Sequence, residues 1–129
     1  MIRVVIADDH GVIRDGLGRL IGALEDMEVV GLAVDGAEAV TRCQETHPDV
    51  VLMDLEMPVV DGYESTRQIK ARCPGIWVIA LTLHGYAAAR DRAAQAGTDD
   101  FIEKGAPLQA LVQSIQRCAE TSIHTGDRQ

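Results

Sequence analysis

The chain has 129 residues, 47% of them hydrophobic and 25% charged, enough for one domain with its own core and too few for a second. Twenty acidic against twelve basic residues give a net charge of -8, which argues against the basic face that direct nucleic-acid binding requires. No apolar run approaches the roughly 20 residues of a membrane helix, and the opening Met1 to Asp9 turns acidic too soon for a signal peptide.

Ile2 to Ala7, apolar apart from Arg3, reads as a first strand ending on the paired acids Asp8 and Asp9. Ile13, Leu17, Leu20 and Leu24 then recur at steps of four, three and four, one face of a helix. Val29 to Val34 is the second strand, and Asp35 with Glu38 three residues on has the form of a capping box opening the second helix. After Pro48 comes Asp49-Val50-Val51-Leu52-Met53-Asp54, an unbroken apolar run stopping on a carboxylate. Such a run is the mark of a strand buried on both faces, as in a parallel sheet covered by helices.

Glu56 to Gly62 is a loop punctuated by Pro58 and Gly62, and Tyr63 to Arg72 reads as the third helix. Ile76 to Leu81 is a fourth buried strand that ends on Thr82. The alanine-rich stretch Tyr86 to Ala96 is the fourth helix, closed by Gly97 at a C-cap position. Asp99 to Ile102 is a short fifth strand at the sheet edge, leading to Lys104. Pro107 suits the first turn of a fifth helix whose Leu108, Leu111, Ile115 and Cys118 share a face. Residues 1–120 are expected to form the domain, and 121–129 a polar tail or the start of a linker. Cys43, Cys73 and Cys118 are odd in number and lack CxxC spacing, so they read as reduced thiols in a cytoplasm, in core or surface positions. Met57 and Trp77 read as a loop anchor and a core residue.

Alternating strands and helices predict an α/β fold with a parallel sheet and right-handed crossovers. All strand ends bearing distinctive polar residues then lie on one edge. With the order 2-1-3-4-5, strands one and three are neighbours, and Asp8, Asp9, Asp54, Thr82 and Lys104 meet in the crevice at the switch point. Two like charges about 4 Å apart repel by roughly 4 kcal/mol at an effective dielectric of 20, so a divalent cation is expected among the carboxylates. An all-oxygen donor set suits Mg²⁺, with Mn²⁺ as the alternative, whereas His10 and His84 are unsuited to a hard ion. Lys104 balances charge without ligating, because an ammonium only donates. A hydroxyl and an ammonium around a metal-bound carboxylate are the parts that receive a phosphoryl group.

These residues resemble a response-regulator receiver domain along essentially the whole chain. The likeness is carried by Asp8-Asp9, by Asp54 within Leu52-Met53-Asp54-Leu55-Glu56-Met57-Pro58, by the Asp61-Gly62 turn, and by Thr82 and Lys104. Ala7-Asp8-Asp9-His10, Arg14-Asp15-Gly16-Leu17 and Lys104-Gly105-Ala106 look most like the NarL/FixJ branch, whose members usually carry a C-terminal helix-turn-helix domain that this chain lacks. The resemblance implies a (βα)5 flavodoxin-like fold and a set of roles. Asp54 would take the phosphoryl group of a phosphohistidine on a sensor histidine kinase. Asp9, Asp54 and the backbone carbonyl of Glu56 would hold Mg²⁺, with Asp8 acting directly or through water. Lys104 would pair with the phosphoryl group, Thr82 would swing to hydrogen-bond it, and Phe101 would turn inward when Thr82 moves. The altered surface would act on a downstream effector domain or protein, regulating transcription through the DNA-binding domain, and would accommodate a phosphorylation-dependent homodimer. No membrane partner is implied.

Glu56 and His84, two residues after Asp54 and Thr82, are expected to tune the lifetime of the phosphate by admitting or blocking water. On this reading the chain is a phosphoacceptor, an enzyme only in assisting its own phosphorylation and hydrolysis. Two competitors are a magnesium-dependent phosphatase and a phosphorylation-independent interaction module. Glu rather than Asp at position 56 and the lack of chain for a cap speak against the first, and the intact acids with Lys104 against the second.

Overall fold

The computed structural model describes the backbone of residues 1–126. Among these residues the chain runs β1 (Ile2–Ala7), α1 (Gly11–Gly22), β2 (Met27–Ala33), α2 (Gly36–Thr46), β3 (Val50–Asp54), α3 (Gly62–Arg72), β4 (Trp77–Thr82), α4 (Ala87–Ala96), β5 (Asp100–Glu103) and α5 (Leu108–Gly126). The strands are all parallel and lie in the order β2-β1-β3-β4-β5. The alternation of elements predicted the parallel α/β sheet, and the order is the (βα)5 flavodoxin-like one that the resemblance implied.

Successive side chains of a strand leave opposite faces of the sheet, and here both faces are covered. Val5, Ala7, Val51, Met53 and Val78 enter one core with α2 and α3, while Val4, Ile6, Val50, Leu52, Ile79 and Leu81 enter another with α1 and α5. Unbroken apolar runs in the sequence follow from that double burial. A third, smaller core of Leu55, Tyr63, Ala80, Ala93 and Ala96, with Phe101 against it, lies beneath α4.

Local signals set the helix ends. Asp35 Oδ1 accepts from the Glu38 amide at 2.8 Å, the capping contact expected there, and Asp61 Oδ1 does the same for Glu64 at 2.9 Å. Gly97 closes α4 at φ 107°, a left-handed value that glycine adopts freely. Pro107 stands just before α5 rather than inside its first turn, and its carbonyl accepts from the Ala110 amide at 2.9 Å.

Two sequence expectations need adjustment. The buried residue of α1 is Ile21, whereas Leu20 is 51% exposed; Leu17 and Leu24 are partly buried against the α1/α5 core. β2 begins at Met27, and its pairing with β1 is irregular between Val4 and Val5. α5 runs to Gly126, and residues 127–129 of the expected tail lie outside the described residues. Cys43 and Cys118 are buried and Cys73 is half-buried, and none of the three forms a disulfide. Burial, with the neighbouring Cys73, pushes the Cys43 thiol up to about 12, which keeps it protonated and inert. Met57 is buried as a loop anchor, and Trp77 is partly buried against the α1/α5 core. No helix among the described residues is long and apolar enough to cross a membrane.

Candidate phosphoacceptor site

Register delivers the site residues to one edge. Ala7 pairs with Met53, Asp54 with Leu81, and Thr82 with Glu103, so the residues that follow emerge side by side. Backbone bonds continue past the formal strand ends: the Asp8 amide to Ala33 O at 3.0 Å, Leu55 to Leu81 O at 3.1 Å, and Lys104 to Thr82 O at 2.7 Å. The main chain beneath each functional side chain is therefore fixed by the sheet itself.

The acids and the base meet as the sequence suggested. Lys104 Nζ lies 3.0 Å from Asp8 Oδ2 and 3.2 Å from Asp54 Oδ1, with its side chain only 6% exposed. Asp54 Oδ1 also accepts from the Glu56 amide at 3.1 Å, while Asp54 Oδ2 is buried without a hydrogen-bond partner. Desolvation dominates the chemistry of this carboxyl and pushes it up to about 7. The Glu56 amide opposes the shift, Asp8 adds to it, Lys104 opposes it, and the neighbouring Asp9 carboxyl adds to it. Desolvation alone would lower the Lys104 ammonium, but the two carboxylates overcome it and hold the group above its ordinary value.

One ammonium among Asp8, Asp9 and Asp54 leaves the cluster two charges short of neutral when all three acids ionise. The donor atoms of Asp8, Asp9, His10 and Asp54 lie within 4.8 Å of one another. A divalent cation fits this set, because the donors include hard carboxylate oxygens and one buried oxygen lacks any other partner. His10 is more involved than its sequence position suggested. Its Nδ1 lies 3.2 Å from Asp8 Oδ1 and 3.1 Å from Asp9 Oδ1, partnering both acids.

Thr82, 2% exposed, is already engaged. Its hydroxyl faces Glu56 Oε1 at 3.4 Å and the His84 carbonyl at 3.2 Å, and it accepts from the His84 amide at 3.1 Å. A hydroxyl has one proton, so it serves one of those two acceptors at a time. The His84 ring stacks on Tyr86, with centroids 5.6 Å apart. Phe101 is half-buried at the edge of the α4 core, with the Arg90 guanidinium 4.7 Å above its ring. The Glu56 to Thr82 contact, the histidine bridging two acids and the arginine over Phe101 all depend on side-chain rotamers, which no spacing in the sequence encodes.

The loop joining β3 to α3 is shaped under Asp54. A Cβ at Gly62 would fall 2.2 Å from the Asp54 carbonyl oxygen, so only glycine allows α3 to begin there. Within the same loop Val59 is 83% exposed at φ 68°, a left-handed conformation that costs a β-branched residue about 1–2 kcal/mol.

The sequence pattern of the response regulator receiver domain matches residues 4–116. Response regulator GacA of Pseudomonas viridiflava is 40% identical over 116 residues, which cover 90% of this chain and 54% of that protein. Response regulator UvrY of Escherichia coli K12 is 36% identical over 128 residues, 99% of this chain and 56% of that protein. The chain thus spans about half the length of these relatives. Among solved structures, a LuxR-family two-component response regulator from Aurantimonas sp. SI85-9A1 superposes with a TM-score of 0.86 at 34% identity, covering 92% of this chain and 85% of that one.

Proposed function

Because this chain belongs to the response regulator receiver domain family, we propose that it accepts a phosphoryl group on Asp54 from a phosphohistidine of a sensor kinase. The observation that carries the reading is the buried Asp8–Lys104–Asp54 cluster, whose Asp54 keeps one oxygen without a partner. A carboxylate oxygen of Asp54 forms the new O–P bond as the N–P bond breaks, and the bonding pair leaves with the imidazole nitrogen. The developing charge on the equatorial oxygens falls to Lys104 and to the Thr82 hydroxyl, once Thr82 gives up its present acceptors. Asp8, Asp9, Asp54 and the Glu56 carbonyl would hold Mg²⁺ or Mn²⁺, which supplies charge neutralisation for the acids and the phosphoryl oxygens.

With Thr82 drawn to the phosphoryl group, Phe101 follows, and the surface around α4 and β5 changes for a downstream effector domain or protein. The likeness to GacA, UvrY and a LuxR-family regulator supports transcription control through a DNA-binding domain as the output. The chain's own chemistry is limited to assisting its phosphorylation and hydrolysis. Intact-mass measurement after acetyl phosphate and Mg²⁺ tests the reading. A gain of one phosphoryl group that disappears in Asp54→Ala supports it; no gain, or one that survives the substitution, overturns it.

Glu56 and His84 set the lifetime of that phosphate. Both are exposed at the mouth of the cleft, where a hydrolytic water must pass, and Glu56 also competes for the Thr82 proton. Glu56→Ala and His84→Ala, made singly, are expected to change the dephosphorylation rate by roughly three- to tenfold, a barrier change of about 1 kcal/mol. Decay of the phosphorylated mass at the wild-type rate in both variants would remove this assignment.

A further inference from the structure

Helix α4 is weakly anchored for an element that must carry a signal. Of its ten residues only Ala93 and Ala96 are buried, and Tyr86 provides no side-chain cap. Those alanines rest in the small core that contains Tyr63 of α3, with Phe101 of β5 packed at its margin. The helix compensates with two arginines. Arg90 lies 4.7 Å from the Phe101 ring centroid, and Arg92 lies 3.9 Å from that of Tyr63, with its Nη2 3.8 Å from Asp61 Oδ2. Residues two apart on a helix point to opposite sides, so the arginines reach in different directions, one to β5 and one to α3. Each caps one of the two aromatic rings on which the alanine face sits.

We propose that Arg90 and Arg92 form a two-sided clasp on α4, in which Arg90 is the positioning residue that holds Phe101 in its unphosphorylated place. This inference rests on the reading that phosphorylation at Asp54 draws Thr82, and then Phe101, inward. When Phe101 turns, the guanidinium of Arg90 loses the ring face that attracts it. The Arg92 side keeps both its ring and the Asp61 carboxylate, so α4 opens on its β5 side and pivots on its α3 side. The groove of about 520 Å³ lined by Arg90, Phe101 and Glu103 lies on the side that opens, and its shape therefore reports the state of Asp54. Because the clasp opposes the turned position, weakening it populates the active arrangement before any phosphoryl group arrives.

Phe101 is the sole phenylalanine of the chain, so uniform labelling with fluorophenylalanine gives one ¹⁹F resonance at the switch. Intact mass confirms the phosphorylation state of each sample. The unphosphorylated Arg90→Gln variant is expected to move this resonance toward its position in phosphorylated wild type, and to take phosphoryl groups from acetyl phosphate roughly two- to fivefold faster. Arg90→Lys, which keeps the cation, restores both toward wild type. Arg92→Gln leaves the Phe101 resonance in place and raises hydrogen exchange along α4 in both states. If phosphorylation moves the wild-type resonance but Arg90→Gln changes neither resonance nor rate, the clasp is wrong and the switch stands. A wild-type resonance that stays put after confirmed phosphorylation removes the switch reading and the clasp with it.

Discussion

At pH 8 without added metal, Asp54→Asn is expected to be more stable than wild type while losing all capacity to take up a phosphoryl group. Burial raises the Asp54 carboxyl to about 7 from an ordinary value of 3.8, so the folded chain binds a proton there more readily than the unfolded chain does. Between those two values stability therefore falls as pH rises, and above the folded value the penalty is present in full. A shift of that size corresponds to at most about 4 kcal/mol. Asparagine keeps the shape and removes the charge, and it leaves Lys104 paired with Asp8 alone. A gain of about 2 kcal/mol is expected at pH 8, worth several degrees in melting temperature, and little at pH 5. Thermal unfolding at the two pH values reads this directly. Equal melting of the two proteins at pH 8, or the same gain at pH 5, would show that burial of Asp54 is not the source.

Lys104→Met is expected to act in the opposite direction and to be the more damaging change. Methionine keeps an unbranched stem, so the packing of the side chain survives while the ammonium is lost. Asp8 and Asp54 then face each other, buried, with no cation between them at neutral pH. Removing one partner of a buried ionic group costs about 3–5 kcal/mol, because the charges left behind are uncompensated. Urea unfolding should show that loss at pH 8, and a smaller one near pH 5, where Asp54 takes a proton. Added Mg²⁺ should recover part of the deficit, since it binds the folded acids and not the unfolded chain. Phosphorylation by acetyl phosphate should fall severely even with the fold intact. An equal loss at both pH values, unaffected by Mg²⁺, would assign the effect to packing instead.

How much of this was legible in the sequence differs between backbone and side chains. The β3 run Val50–Asp54 declared both its burial and its chemistry, since continuous apolar residues imply two covered faces and the closing acid falls at the sheet edge. The strand order was deducible because acids on separate strands make a site only if β1 and β3 adjoin. Helix α1 was misread in detail for a plain reason: Leu20 and Ile21 are adjacent and both apolar, so steps of three and four fit either one. The core beside Met27 selects Ile21. Arg90 and Arg92 gave no signal at all. Exposed arginines on an alanine-rich helix look like solvation, and only the rings beneath them show otherwise.

Gly62 has a bearing on how this protein can be re-engineered. With α3 starting directly under the Asp54 carbonyl, acceptor and helix share one rigid seat. The connection before it is seated as well, because the Val60 carbonyl lies so close to Gly36 that a Cβ there would fall 1.9 Å away, but Gly62 is the position beneath the acceptor itself. A single alanine there would lift the acceptor off its bearing and spoil transfer from any donor, which makes the smallest residue in the loop the least replaceable.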